Sequence, residues 1–170
     1  AQIANCTRAL ALARELDDGM QQMQVLYRLW HGHLARGRFA DTLEAARDFA
    51  AVCEQAGGPD DHLQKHRLLA IAHHGLGELA AARHHLDAVL GHPQGAASSR
   101  RRNPLALDER IMTLCFHTQF LWLQGHADQA WEAAQQTWEE ARHRDHLLSM
   151  LYALTFAPCA VGLWRGELDA

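Results

Sequence analysis

Apolar residues along this chain recur at spacings of three and four, with charged and amide residues between them. Ala82, Leu86 and Val89 are one such set, and they lay a stripe on a single face of an α-helix. Strand-like alternation of β-branched residues is missing, so the pattern predicts helix nearly everywhere. Eight helices are expected, over residues 2–15, 19–36, 40–56, 60–75, 79–90, 106–124, 128–143 and 146–165. Residues 91–105 carry Pro93, Gly95, Ser98, Ser99 and Pro104 and are expected to form an exposed loop. Pro158 falls inside the last segment, where a residue without an N–H should kink the helix or end it early.

Glycine punctuates this pattern in a regular way. Gly37-Arg38-Phe39, Gly77-Glu78-Leu79, Gly125-His126-Ala127 and Gly166-Glu167-Leu168 each follow a helical segment, and the glycines are 40, 48 and 41 residues apart. Glycine closes a helix because it enters the left-handed region without a Cβ penalty. An alanine-rich stretch follows the first three: Ala45-Ala46, then Ala80-Ala81-Ala82 with Leu86, then Ala130 with Ala133-Ala134. Alanine puts only a methyl group between two antiparallel helices and lets them approach closely. Counting from the glycines aligns Leu29-Trp30, Leu69-Ala70 and His117-Thr118 on the first helix of each hairpin. On the second helix it aligns Thr42, Ala46 and Phe49 with Ala82, Leu86 and Val89 and with Ala130, Ala134 and Thr137.

These residues resemble the tetratricopeptide repeat, in which a leucine- and glycine-bearing helix meets an alanine-bearing helix across a Gly-x-Tyr turn. The glycine spacing exceeds that family's usual period of about 34 residues. Together with Arg8–Leu16 and Ala51–Gly57, the longer spacing is similar to the degenerate repeats C-terminal to signal-transduction ATPases in bacterial transcription regulators and class III adenylate cyclases. HEAT and armadillo repeats match the period but lack the glycine turn. The resemblance implies an all-α superhelix of antiparallel hairpins in one domain, with repeats at 19–58, 59–105 and 106–145 and half-repeats at 1–18 and 146–170. A half-repeat at each end implies a fragment of a longer protein. The resemblance also implies a concave groove, lined by Tyr27, His31, Arg67, His74, Gln119 and Trp122, that recognises a protein or peptide.

Composition narrows the chemistry. The 48% hydrophobic fraction is ample for a core, and a net charge of −4 argues against direct nucleic-acid binding by this segment. No apolar run approaches membrane-spanning length by this reading, so no membrane partner is expected. Cys6, Cys53, Cys115 and Cys159 are too far apart for a metal knuckle, and each is expected to be a reduced, buried thiol in a cytoplasmic protein. Lys65 is the lone lysine among many arginines, alanines and histidines, a bias that points to a GC-rich bacterial genome.

Thirteen histidines raise the question of a metal. His62 and His66 have the spacing that puts two imidazoles on one helix face, and His73-His74 and His84-His85 flank the second glycine turn. No acidic or cysteine ligand joins them in a zinc-binding pattern, and His33 and His73 share a position where packing or hydrogen bonding accounts for them. No metal and no cofactor are expected. Arg100, Arg101 and Arg102 read as solvated loop charges, and the five tryptophans, Trp131 and Trp138 among them, read mainly as core. A phosphate-binding loop and a nucleophile elbow are both missing, and the acid pairs Asp17-Asp18, Asp60-Asp61 and Glu139-Glu140 read as helix caps and solvated charge. The expected function is therefore non-catalytic: an interaction and regulatory module of a bacterial multidomain signalling protein, a transcriptional regulator with an ATPase domain. It would act on a partner protein or peptide, on other domains of its own chain, or on a second copy through exposed terminal helices. The alternatives are a scaffold or oligomerisation domain without a ligand, and a histidine-rich metal-responsive module.

Overall fold

A computed structural model describes residues 2–91, 107–144 and 146–167. The described residues are all-α, with helices α1 (Gln2–Glu15), α2 (Gly19–Leu34), α3 (Phe39–Ala56), α4 (Pro59–Gly75), α5 (Leu79–Leu90), α6 (Glu109–Leu123), α7 (Ala127–His143), α8 (Leu147–Phe156) and α9 (Pro158–Arg165). The expected loop at 91–105, with Arg100, Arg101 and Arg102, lies almost wholly outside them. The chain divides into two compact units, the first ending at Val89 and the second starting at Leu90.

The glycine turns recur as the pattern of the sequence requires. Gly37, Gly77, Gly125 and Gly166 have φ of 67°, 77°, 84° and 78°. At each, the glycine N–H donates to the carbonyl three residues back: Leu34, His74, Trp122 and Leu163, at 2.9–3.1 Å. The next N–H reaches the carbonyl five residues back, Arg38 to His33, Glu78 to His73, His126 to Leu121 and Glu167 to Gly162, again at 2.9–3.1 Å. This is the Schellman pattern, which satisfies helix-end carbonyls that would otherwise be orphaned.

In the first unit α2 packs on α1 and α3, and α3 on α4. Asp18 caps α2 by accepting from Gln21 N at 3.0 Å, while Asp17 takes the left-handed conformation that lets α1 turn into it. Asp61 accepts from Gly58 N at 2.8 Å and, with Pro59 in the first turn, fixes the start of α4. The aligned second-helix residues Thr42, Ala46 and Phe49 are all buried, as are Ala82, Leu86 and Val89. The Phe39 ring seats against Gly75, where a Cβ would fall 2.2 Å from the ring, so the aromatic of one glycine turn packs on the last residue of α4.

In the second unit α6 and α7 form a hairpin against which α8 and α9 pack. Its core holds Ile111, Cys115, Leu121, Ala130, Ala134, Ala141, Ala153, Ala157 and Val161. The last segment is broken where proline requires it: Ala157 leaves helical geometry (φ −116°, ψ −88°), and Pro158 begins α9. Ser149, Ala153, Ala157 and Val161 form a buried stripe at intervals of four, continuous across that break.

Asp108 organises the entry to this unit. It is fully buried, and its Oδ1 caps α6 by accepting from Arg110 N (2.9 Å) and Ile111 N (3.2 Å). Arg144 Nη1 donates to Oδ2 at 2.8 Å, and the Asp108 N–H donates to Ser149 Oγ at 3.1 Å. Arg110 and Arg144 both donate to Glu140 Oε1 at 2.7 Å. Burial pushes the Glu140 carboxyl up, but the two guanidiniums outweigh it and hold it below its ordinary value. Glu140 is therefore a member of an ion-pair network rather than the solvated charge its sequence context implies. Glu139 pairs with Arg142 on the exposed face, as that context does imply.

Two further expectations are corrected. Cys53 and Cys115 are buried and free, whereas Cys6 is half-buried and Cys159 exposed, because α9 turns Cys159 away from its packed stripe. Residues Leu147–Arg165 are long and apolar enough to cross a membrane, with a mean hydropathy of 1.7, where the sequence was expected to hold no such run. Serine, threonine and proline interrupt the run without charging it, so it stays apolar although part of it faces the core of a packed unit.

Candidate functional site

The residues expected to line a groove fall in both units and meet different fates. In the first unit Tyr27 stacks on Trp30, with ring centroids 6.0 Å apart and planes 13° apart. Trp30 is 2% exposed and donates Nε1–H to the Leu68 carbonyl at 3.2 Å. The Arg67 guanidinium lies over the same indole at 5.8 Å, and Arg67 is only 3% exposed. The expectation of Arg67 as an open groove-lining side chain is thus corrected: the indole face and the packing of α2 on α3 and of α3 on α4 enclose it. His31 is exposed, and His74 is half-buried with its pKa lowered by burial.

In the second unit Gln119 and Trp122 are half-buried on α6 and both reach the α8–α9 segment. Gln119 Nε2 donates to the Phe156 carbonyl at 3.1 Å. The Trp122 ring sits 5.6 Å from that of Trp164, which is 44% exposed. The stripe that α8 and α9 bury leaves their other faces in solvent, and there Leu147, Leu148, Leu151, Leu154, Leu163 and Trp164 are exposed. Within this surface a cleft of about 380 Å³ is lined by Trp131, Leu154, Pro158, Cys159, Gly162, Leu163 and Glu167. Its rim carries a cation: Arg165 lies over the Trp131 ring at 5.6 Å and binds Asp128 at 3.1 Å and Glu167 at 2.7 Å. An apolar cleft with an aromatic wall and a charged edge has the composition of a protein-recognition surface. The sequence signal for it was present in the uncharged run from Leu147 to Trp164, which periodicity alone assigns to core.

The histidines converge at the α4–α5 hairpin. His66 Nδ1 lies 3.0 Å from His85 Nδ1, and the His85 ring is also within 5.6 Å of His73 and 5.2 Å of His84. His73 Nδ1 pairs with Glu78 Oε2 at 2.5 Å, the hydrogen-bonding role its position in the turn predicts. Burial, then His66, His73, His84 and Lys65, push the His85 imidazole down to about 4, and burial and Lys65 lower His66. His62 stays beside Lys65 and Glu54, with Lys65 Nζ 2.5 Å from Glu54 Oε1. Among the described residues no group of three or more His, Cys, Asp or Glu is placed to hold a metal ion.

Comparison with protein-family models, with curated proteins and with solved structures finds no match for this chain.

Proposed function

We propose that this chain is a non-catalytic interaction module of tetratricopeptide type that serves a regulatory role in a bacterial multidomain signalling protein, a transcriptional regulator carrying an ATPase domain. The observation that carries the interaction reading is the apolar α8–α9 surface, where Leu154, Leu163 and Trp164 stand exposed around a cleft walled by Trp131. Large contiguous apolar surface is costly to leave in water and marks a place where a partner binds. The partner that fits is an amphipathic helix of a protein or peptide, whose apolar side chains enter the cleft. The four identical helix endings support the repeat reading, because one backbone solution recurs at the glycine spacing of the sequence.

Binding is tested by anisotropy titration of labelled amphipathic helical peptides against the chain and its Leu163→Ser/Trp164→Ser variant. Micromolar binding weakened about tenfold or more by the double substitution is expected, a loss of roughly 1.4 kcal/mol or more. Equal binding by both proteins removes the surface from the proposal. The regulatory half is tested in a longer protein that carries this chain beside an ATPase domain. Deleting the chain should change nucleotide hydrolysis, and unchanged hydrolysis with and without peptide overturns it. A scaffold or oligomerisation role is the second reading, favoured by the same exposed surface. Light scattering over a concentration series decides it, since a monomer at every concentration excludes self-association.

A further inference from the structure

We propose that His66 and His85 form a proton-operated latch that holds α5 on α4 while one imidazole of the pair is neutral and releases it when both are charged. The geometry carries the inference. Two ring nitrogens 3.0 Å apart share one proton: one imidazole donates and the other accepts. A second proton puts two N–H groups and two positive charges face to face at that distance, and the contact turns from attraction to repulsion.

The surroundings make this pair a switch rather than an ordinary surface contact. From α4, Lys65 and His62 lie beside His66, and the His73 ring stacks on His85. From α5 itself His84 meets His85 edge-on, while the neighbouring Arg83 and Asp87 pair with each other at 2.9 Å. The carboxylates near the cluster are committed elsewhere: Glu54 of α3 to Lys65, and Glu78 of the turn to His73. The Glu54 charge favours a proton on His66, but burial, Lys65, His84 and His62 outweigh it, so a second charge on the pair is poorly compensated. Both imidazoles are held below their ordinary value of 6.5, His85 down to about 4, by burial first and by these neighbours next. The unfolded chain accordingly binds more protons than the closed hairpin between those two pH values. Closure is favoured fully above about pH 6.5 and is lost as pH falls toward about 4.

Release is local because α5 is the more weakly held helix. It buries Ala82, Leu86 and Val89, whereas α3 buries Thr42, Leu43, Ala45, Ala46, Phe49 and Cys53. A short helix with a small apolar stripe opens more readily than a long one with a broad stripe. Opening would uncover the α4 face that α5 covers, a surface available in acid and hidden at neutral pH.

Amide hydrogen exchange of the chain, followed by mass spectrometry and corrected for intrinsic exchange at each pH, tests the latch. Protection of α5 is expected to fall by up to about tenfold per unit between pH 6 and 5, with α2 and α3 unchanged. The His66→Gln/His85→Gln variant, which keeps a polar contact without a titrating group, should hold α5 protection constant over that range. Histidine NMR titration of the native chain is the arm that does not depend on the variant folding: a His85 midpoint well below 6.5 that coincides with α5 opening supports the latch. A midpoint at the ordinary histidine value overturns it, as does loss of α2 and α3 protection in step with α5, or the same pH dependence in the variant.

Discussion

Replacing Gly75 by alanine isolates the contact between the end of α4 and the aromatic of the first glycine turn. The added Cβ would lie 2.2, 2.6 and 2.7 Å from Phe39 Cδ1, Cε1 and Cγ. Carbon atoms settle at about 3.5–4.0 Å, so the ring must withdraw by roughly 1.3 Å or α3 must shift away from α4. Overpacking of this kind costs about 1–3 kcal/mol. Alanine returns up to about 1 kcal/mol through its better helix propensity, and less than that in a last turn. The net expectation is a loss of about 1–2 kcal/mol. With a urea m-value of about 2 kcal/mol/M, the midpoint should fall by roughly 0.5–1 M, read by far-ultraviolet circular dichroism. The decisive arm is the same substitution in a Phe39→Ala background, where the clash is gone and only propensity remains. There Gly75→Ala should be neutral or stabilising by a few tenths of a kcal/mol, so the sign of the effect reverses. Equal destabilisation in both backgrounds would refute the steric account.

Three other outcomes follow from the structure. Asp108→Ala removes the α6 cap and leaves the Arg144 guanidinium without its fully buried partner, so it should cost about 3 kcal/mol or more in urea unfolding. Asp108→Asn keeps an acceptor at the cap and should cost distinctly less, and equal costs would show that the ion pair, not the cap, carries the effect. Alanine at Gly37, Gly77 or Gly125 meets no atom within 4 Å, so each substitution should cost only the left-handed backbone penalty of about 1–2 kcal/mol. Near-identical midpoint shifts for the three are expected, and a scatter several-fold wider would show that the turns are not equivalent. In native thiol labelling Cys159 should react first and Cys6 more slowly. Cys53 and Cys115 should react only on unfolding, because both are buried and burial pushes the Cys115 thiol up to about 12.

The helices and their glycine turns were legible in the sequence because both depend on local chemistry. Ala82, Leu86 and Val89 announce a face by their spacing, and Gly77 announces a left-handed cap by lacking a Cβ. Pro158 ended a helix for an equally local reason. What the sequence did not disclose depends on partners distant along the chain. Arg67 looked like a presented charge until Trp30, 37 residues earlier, took its guanidinium against an indole. Glu140 looked solvated until Arg110, 30 residues earlier, arrived beside it. The exposure of Leu151, Leu154 and Leu163 could not be read from the sequence, because an apolar residue carries no mark of which face of its helix will find a neighbour. The placing of His73-His74 and His84-His85 on either side of the Gly77 turn was visible in the sequence, but the approach of His66 to His85, 19 residues on, was not.

The recurring helix ending has a consequence for how such a chain can change over time. Each ending is closed by main-chain atoms, with residues as different as Arg38, Glu78, His126 and Glu167 donating the same bond. Only the glycine is chemically committed, since any other residue there is strained. Mutation can therefore rewrite nearly every letter around these joints and leave the joints themselves intact. A backbone rhythm can outlast the spelling that first encoded it, and descent in a molecule of this kind is recorded more durably in its hydrogen bonds than in its side chains.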